Sequence, residues 1–389
     1  MKVGVLTFHR ATNYGTALQA FATVAALKAM GYSAELIDYR PAYIERTVRV
    51  RRLRNAKSPK EIASILLNRM VYGHQQNDKI QRFLEFCEQF PQGSMVCETT
   101  EDVAQAARQY DAVISGSDQL WNENITGNDL TYFLPFPHPK KISFASSFGV
   151  SSISEERKSV IGPHLRDFAH WALREETAVR LTQTLVEPSD SAKLHRVVDP
   201  TLLLDADSWK QQMNAAMNLP KDGYILTYYM IETPILRAVT ERLQKQTGLP
   251  VVNLKPSKRQ VLCREGKNLM WAGPREFLSC YAGAKYVVTN SFHGTAFAIN
   301  FQVPMYVAPL PVSMAGEVNS RLVEILDWYG LSDRWITSTA EAENMDIQCL
   351  PVSLSVTIRT RREETIEILK SMLTWENNDE KTHFDCRKG

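Results

Sequence analysis

Long apolar runs are missing from this sequence: none approaches the ~20 residues that a bilayer-spanning helix requires. No apolar stretch of signal-peptide shape follows a basic start, and Met1-Lys-Val-Gly-Val-Leu6 reads as a strand instead. These absences predict a cytoplasmic protein, soluble or peripheral at the inner face of a membrane. Cysteine is sparse. Cys87, Cys97, Cys263, Cys280, Cys349 and Cys386 are scattered, with no Cys-x-x-Cys pair and no His at metal-finger spacing, so free thiols are expected and a metal site is not. Neither sign of charge is in excess, with 45 Lys and Arg against 43 Asp and Glu, which gives no general reason to expect nucleic acid. Gly-x-Gly-x-x-Gly, Walker, His-Glu-x-x-His and Gly-x-Ser-x-Gly patterns are all absent, leaving dinucleotide, zinc-protease and serine-hydrolase chemistry without support. No internal repeat or low-complexity tract is visible.

What is present is ordinary globular composition, 44% hydrophobic and 23% charged over 389 residues, long enough for two cores. Short β-type runs alternate with amphipathic helices, the pattern of α/β layering. Val3–Thr7 reads as a strand, about Thr16 to Met30 as a helix ended by Gly31, and Ala34–Asp38 as a second strand. Asp102–Tyr110 and Ser154–Ala169 read as helices. Ala112–Ile114, Lys141–Ala145, Trp171–Leu173 and Arg196–Val198 read as strands. A second unit starts with the strand Tyr224–Tyr229 and a helix opened by Thr233-Pro234. It continues through strands at Val251–Leu254, Lys285–Thr289 and Met305–Ala308, with helices at Pro274–Ala282, Thr295–Phe301 and Asn319–Tyr329. A long helix from about Val356 to Trp375 and a polar tail follow. The expected architecture is α/β: two Rossmann-like domains facing a cleft, 1–205 and 206–350, then a C-terminal helix and tail, 351–389. Ligands in such sheets sit beyond the carboxyl ends of the strands, which directs attention to the loops there.

Three loops could carry chemistry. In Val287-Val-Thr-Asn-Ser-Phe-His-Gly-Thr-Ala-Phe297 a strand runs into a helix start, where free N–H groups and the helix dipole favour an anion. There Ser291 and Thr295 offer hydroxyls, Gly294 allows close approach, and His293 can donate to a phosphate or move a proton. The same hydroxyls could merely cap the helix. In Ala112-Val-Ile-Ser-Gly-Ser-Asp-Gln-Leu-Trp121, Asp118 is a candidate base, while Gln119 and Trp121 suit a sugar by hydrogen bonding and stacking; an Asx-type turn with a half-buried Trp is the structural alternative. In the loop after the first strand, Asn13 and Gln19 are polar-ligand candidates beside Thr12, and Asp38 lies 23 residues past Gly15 without the glycines a dinucleotide fold needs. Lys255, Lys258, Arg259, Arg275 and Arg321 are the cations near strand or helix ends. Arg46, Arg49, Arg51, Arg52, Arg54, Lys57 and Lys60 form a stretch, 46–60, without an acidic residue. It fits either a solvated face or a patch for an anionic lipid surface or lipid-linked substrate.

Taken in order, Val3-Gly-Val-Leu-Thr-Phe-His9, Asn13-Tyr-Gly-Thr-Ala-Leu-Gln19, Ile114-Ser-Gly-Ser-Asp-Gln-Leu-Trp121, Lys141-Ile-Ser-Phe-Ala-Ser-Ser-Phe-Gly149, Leu173-Arg-Glu-Glu176, Val198-Asp-Pro-Thr-Leu-Leu203 and Thr289-Asn-Ser-Phe-His-Gly-Thr295 resemble the polysaccharide pyruvyl transferases over roughly residues 1–330. The resemblance implies a glycosyltransferase-B type architecture. It implies transfer of a pyruvyl group from phosphoenolpyruvate to hydroxyls of a cell-surface glycan precursor, often lipid-linked, with release of phosphate and no cofactor. The family's donor-site His corresponds to His293. Many members carry Arg two residues before that His, where this chain has Ser291, so the expected clamp passes to Arg321 or Lys255. On this reading His293 and Asp118 are catalytic and Ser291, Gly294, Thr295, Arg321 and Lys255 bind the donor. Asn13, Gln19, Gln119 and Trp121 bind the acceptor. The alternatives are a nucleotide-sugar glycosyltransferase on the same architecture and a glycan- or anion-binding protein without turnover.

Overall fold

The computed structural model describes residues 1–48, 58–311 and 318–374. Most of the basic stretch (49–57) and the polar tail with Cys386 lie outside the described residues. A seven-stranded parallel sheet is built from β1 (Lys2–Leu6), β2 (Ser33–Tyr39), β3 (Gln92–Cys97), β4 (Ala112–Ser115), β5 (Lys141–Ser146), β6 (His170–Leu173) and β7 (Leu194–Arg196), in the order 3-2-1-4-5-6-7. A five-stranded parallel sheet follows, from β8 (Ile225–Tyr228), β9 (Val251–Asn253), β10 (Lys267–Asn268), β11 (Tyr286–Thr289) and β12 (Met305–Val307), in the order 10-9-8-11-12. The order reverses between β1 and β4 in one sheet and between β8 and β11 in the other. Such reversals open a crevice at the carboxyl ends of the two strands, because the connections leave on opposite faces.

The helices that position the site are α1 (Tyr14–Ala29), α2 (Pro59–Tyr72), α3 (Gln75–Cys87), α4 (Pro274–Gly283), α5 (Phe292–Asn300), α6 (Val318–Trp328) and α7 (Leu354–Leu373). Two of them begin earlier than the sequence pattern predicts, because a side chain caps the start. Asn13 accepts from the Gly15 and Thr16 N–H groups, so α1 opens at Tyr14. Ser291 accepts from Gly294 N, so α5 opens at Phe292. The last strand of the first sheet is Leu194–Arg196; Val197 and Val198, expected within it, are buried just past its end.

One apolar cluster runs through both units, joining Val3, Leu18 and Phe86 to Leu226, Phe277 and Val287, and each unit has a further cluster of its own. Tyr14 bridges the two units: its ring stacks on Phe277 at 4.8 Å and its hydroxyl donates to the Ala272 carbonyl at 2.8 Å. The helix α7 returns from the second sheet to the first, where Thr365 Oγ1 accepts from Val198 N and Arg362 Nε donates to the Leu202 carbonyl.

Candidate active site at the junction of the two sheets

The loop between β11 and α5 is fixed by its own polar groups. Asn290 accepts from Met230 N and donates to the Ile231 carbonyl, tying this loop to the one after β8. Thr289 Oγ1 donates to the Tyr228 carbonyl and accepts from Ser291 N. His293 then falls in the first turn of α5, nearly buried, with its ring against the first turn of α1. A Cβ on Gly15 would stand 2.0 Å from His293 Nδ1, so only glycine there lets the imidazole lie on the backbone.

The other ring nitrogen faces a buried carboxylate. Asp199 Oδ2 lies 3.5 Å from His293 Nε2 and accepts from Arg174 Nη1 at 3.0 Å and Ser117 Oγ at 3.1 Å. Asp199 Oδ1 accepts from both the backbone and the hydroxyl of Thr201. Burial alone would raise the Asp199 carboxyl, but His293, Arg174 and Thr201 outweigh it and hold the acid well below the usual range. Arg174 is buried as well, paired with Glu175 and lying 4.2 Å over the Phe292 ring. Burial opposes its charge, yet Glu175, Asp199 and Asp118 keep it protonated. Arg321, from α6, enters the same cluster; among the described residues no carboxylate pairs with it, and its Nε is buried without a hydrogen-bond partner. Burial, then the repulsion of Arg174, push this guanidinium down to about 10. An unpaired buried cation costs several kcal/mol unless something compensates it, and an anionic ligand would.

Asp118 completes the cluster from the loop after β4. Its φ of 83° is in the left-handed region, which costs a non-glycine residue ~1–3 kcal/mol. The strain aims the carboxylate at α1, where Oδ2 accepts from Thr16 Oγ1 at 2.7 Å, beside the His293–Gly15 contact. The junction of the two sheets therefore gathers a histidine backed by aspartate, the Asp118 carboxylate of the first unit and a guanidinium that no carboxylate pairs with among the described residues.

The family model of polysaccharide pyruvyl transferases matches residues 13–308, a span that contains Asp118, Arg174, Asp199 and His293. The chain belongs to this family. It is a pyruvyltransferase of polysaccharide biosynthesis. No curated protein matches it. Among solved structures it is similar to the UDP-GlcNAc 2-epimerase of Methanocaldococcus jannaschii, at 11% identity and a TM-score of 0.50, covering 95% of this chain and 100% of that one. It is also similar to the Neisseria meningitidis UDP-GlcNAc 2-epimerase bound to UDP-GlcNAc (10% identity, 95% and 100% covered, TM-score 0.48) and to Acinetobacter baumannii MurG (11%, 95% and 99%, TM-score 0.46). The first of these likenesses shows the fold: two Rossmann-like units of the glycosyltransferase-B type.

In this pyruvyltransferase the predicted residues separate into two groups. His293, Asp118, Ser291, Gly294, Thr295 and Arg321 come together, with Asn13 at the rim as the α1 cap. Several individual expectations need correction. Trp121 is 2% exposed, stacked on Phe133 with Phe148 beside it, and its Nε1 donates to the Tyr132 carbonyl, so neither ring face is free for a sugar. Gln19 is fully buried under the first loop; its amide donates to Thr7 Oγ1 and to the Phe8 and Thr16 carbonyls. Gln119 accepts from Asn122 and packs at Gly149. Thr295 Oγ1 donates to the Ser291 carbonyl, a helix-start role. A Cβ on Gly294 would meet Thr289 Oγ1 at 2.3 Å, so the glycine serves helix–strand packing and not ligand approach. Asp38 is consumed by Arg40 and His9. Lys255 stands apart, at a cavity of about 1030 Å³ whose walls do not include His293.

Asp199, Arg174 and Glu175 carry the geometry and were assigned no role by the sequence. The available signal was their place within the ordered motifs: Arg174 and Glu175 come directly after buried β6, and Asp199 comes just past the buried pair Val197 and Val198 that follows β7. Among the described residues no cluster of metal-ligating side chains occurs, and no helix is long and apolar enough to cross a membrane.

Proposed function

We propose that the enzyme transfers a pyruvyl group from phosphoenolpyruvate to hydroxyls of a glycan precursor. The observation that supports it most directly is His293, held between buried Asp199 and the bare backbone of Gly15, with Arg321 beside Asp199 and unpaired among the described residues. Arg321 and the first-turn N–H groups of α5 supply the positive field for the donor's carboxylate and phosphate. A sugar hydroxyl attacks C2 as C3 takes up a proton, and a second hydroxyl oxygen displaces phosphate to close a cyclic ketal. Of the two hydroxyl protons, one balances the new methyl group and the other leaves with phosphate. His293 is the acid for C3 or for the departing phosphate, and Asp118, across the crevice, is the base on the acceptor.

Thermal stability with phosphoenolpyruvate, compared with phosphate, pyruvate and nucleotide sugars, tests the donor. Saturation at 100 times Kd should add ~2.7 kcal/mol. The shift should be lost in Arg321→Gln, and phosphate release should fall ~10²–10⁴-fold in His293→Ala. Stabilisation by a nucleotide sugar alone would move the enzyme to glycosyl transfer.

We also propose a peripheral membrane contact at the inner face. Ile62, Leu66 and Met70 are exposed at four-residue spacing on α2, directly after the basic stretch 46–60. Sedimentation with anionic liposomes should weaken with salt and in Ile62→Glu/Met70→Glu; equal association with neutral vesicles would refute an electrostatic mode.

A further inference from the structure

The cavity of about 1030 Å³ lies between the α2–α3 pair of the first unit and the loop after β9 of the second. Its walls include Arg46, Arg69, Lys79 and Lys255, with His74, and no carboxylate. A fold normally pairs cations that line a cleft, and this one does so nearby: Arg82 with Glu276, Arg259 with Glu232 and Glu265, Arg174 with Glu175 and Asp199. Lys79 and Lys255 are exceptions. Among the described residues neither meets a carboxylate: Lys255 Nζ is 3.5 Å from the Met230 carbonyl, and Lys79 Nζ lies 4.6 Å over the Tyr14 ring. A second cavity of about 350 Å³ shares Gln76, Lys79 and Lys255 and contains Glu232, but that carboxylate is already taken by Arg259 and Ser257. Two lysines thus face one chamber with their charges uncompensated. Burial, then the repulsion of Lys255, push the Lys79 ammonium down to about 7, and an anion between them would relieve both effects.

We propose that this chamber is a phosphoryl-binding site for the acceptor, in which Lys79 and Lys255 clamp a phosphate or diphosphate carried by the glycan. Paired ammonium groups suit a phosphoryl group because each acts as a point charge without the planar fork that carboxylates favour. The volume is that of a site for a large ligand, well beyond a three-carbon donor. Position agrees: Lys79 covers the ring of Tyr14, and the next residue, Gly15, lies against His293. A phosphoryl group anchored here leaves the attached sugar leading toward the crevice where the donor is placed. Assigning the ligand to the acceptor rests on the donor reading above; the anion site itself does not.

Isothermal titration of the full chain with inorganic pyrophosphate, and separately with phosphoenolpyruvate, tests the proposal. Pyrophosphate should bind the wild type, weaken with added salt, and lose about tenfold or more in Kd in Lys255→Gln and in Lys79→Gln. Phosphoenolpyruvate affinity should be unchanged in the lysine variants, while Arg321→Gln should weaken phosphoenolpyruvate and leave pyrophosphate alone. If pyrophosphate does not bind, or binds the lysine variants as well as the wild type, there is no phosphoryl site here. If the lysine variants lose phosphoenolpyruvate instead, the chamber belongs to the donor and the assignment is overturned. Lysine-dependent pyrophosphate binding without any phosphoenolpyruvate binding would uphold the site and defeat the donor reading alone.

Discussion

Gly15 occupies the first turn of α1, where alanine would ordinarily be the better helix former by up to ~1 kcal/mol. Here the sign should reverse. The added Cβ would stand 2.0 Å from His293 Nδ1, so the imidazole must swing away from the backbone and from Asp199. Gly15→Ala is expected to lower both stability and turnover, whereas in a His293→Ala background the same change should be neutral or stabilising. A double-mutant cycle by urea denaturation should show coupling of at least ~1 kcal/mol. Simple additivity would mean that the ring does not press on that helix turn. The same residue scale explains which side chains the sequence hid. His293 and Asp118 stood out because polar groups after a buried strand are few, but nothing in the linear order shows that Asp199 and Arg174 converge on them. Their meeting depends on β6, β7 and α5 being brought together by two different sheets.

At the scale of elements, the central strands of both sheets were legible because they are short apolar runs between helical patterns, as parallel strands covered on both faces must be. Two edge strands, β3 and β10, were not. β3 (Gln92–Cys97) is mostly half-exposed with Gly93 inside it, and β10 is two polar residues, Lys267 and Asn268, so neither carries a burial pattern to read. Capping decides the errors at α1 and α5: periodicity marks where apolar residues recur, while Asn13 and Ser291 set where the first N–H groups are satisfied. Trp121 shows the opposite failure. Its neighbours Asp118 and Gln119 looked like a sugar site, yet the aromatic partners that bury it, Phe133, Phe148 and Phe168, come from other elements further along the chain. Aromatic residues in a polar loop are ambiguous until their packing partners are known.

For the molecule as a whole, the interdomain cleft holds cationic charge at a cost to folding, and the cost should depend on pH. The Lys79 amine titrates near 7 in the folded protein against an ordinary 10.5. Below pH 7 both folded and unfolded chains hold the proton, and the full cost of the buried cation is present. Between 7 and about 10 the unfolded chain keeps a proton that the folded chain has released, so stability rises with pH across that window. Lys79→Met, which keeps the stem over Tyr14, should therefore be more stable than the wild type at pH 7, by about 1–3 kcal/mol at one pKa unit per ~1.4 kcal/mol with allowance for partial exposure. The difference should shrink toward zero at pH 10. Lys255 is depressed by burial too and contributes with the same sign, so the double variant should steepen the trend. Arg321 titrates near 10 and leaves the window untouched. Denaturant unfolding of wild type and variant at pH 7, 8.5 and 10 measures the effect. A constant difference would show that Lys79 is solvated like a surface lysine, and the cleft would then have no charge to offer an anion beyond what any exposed lysine supplies.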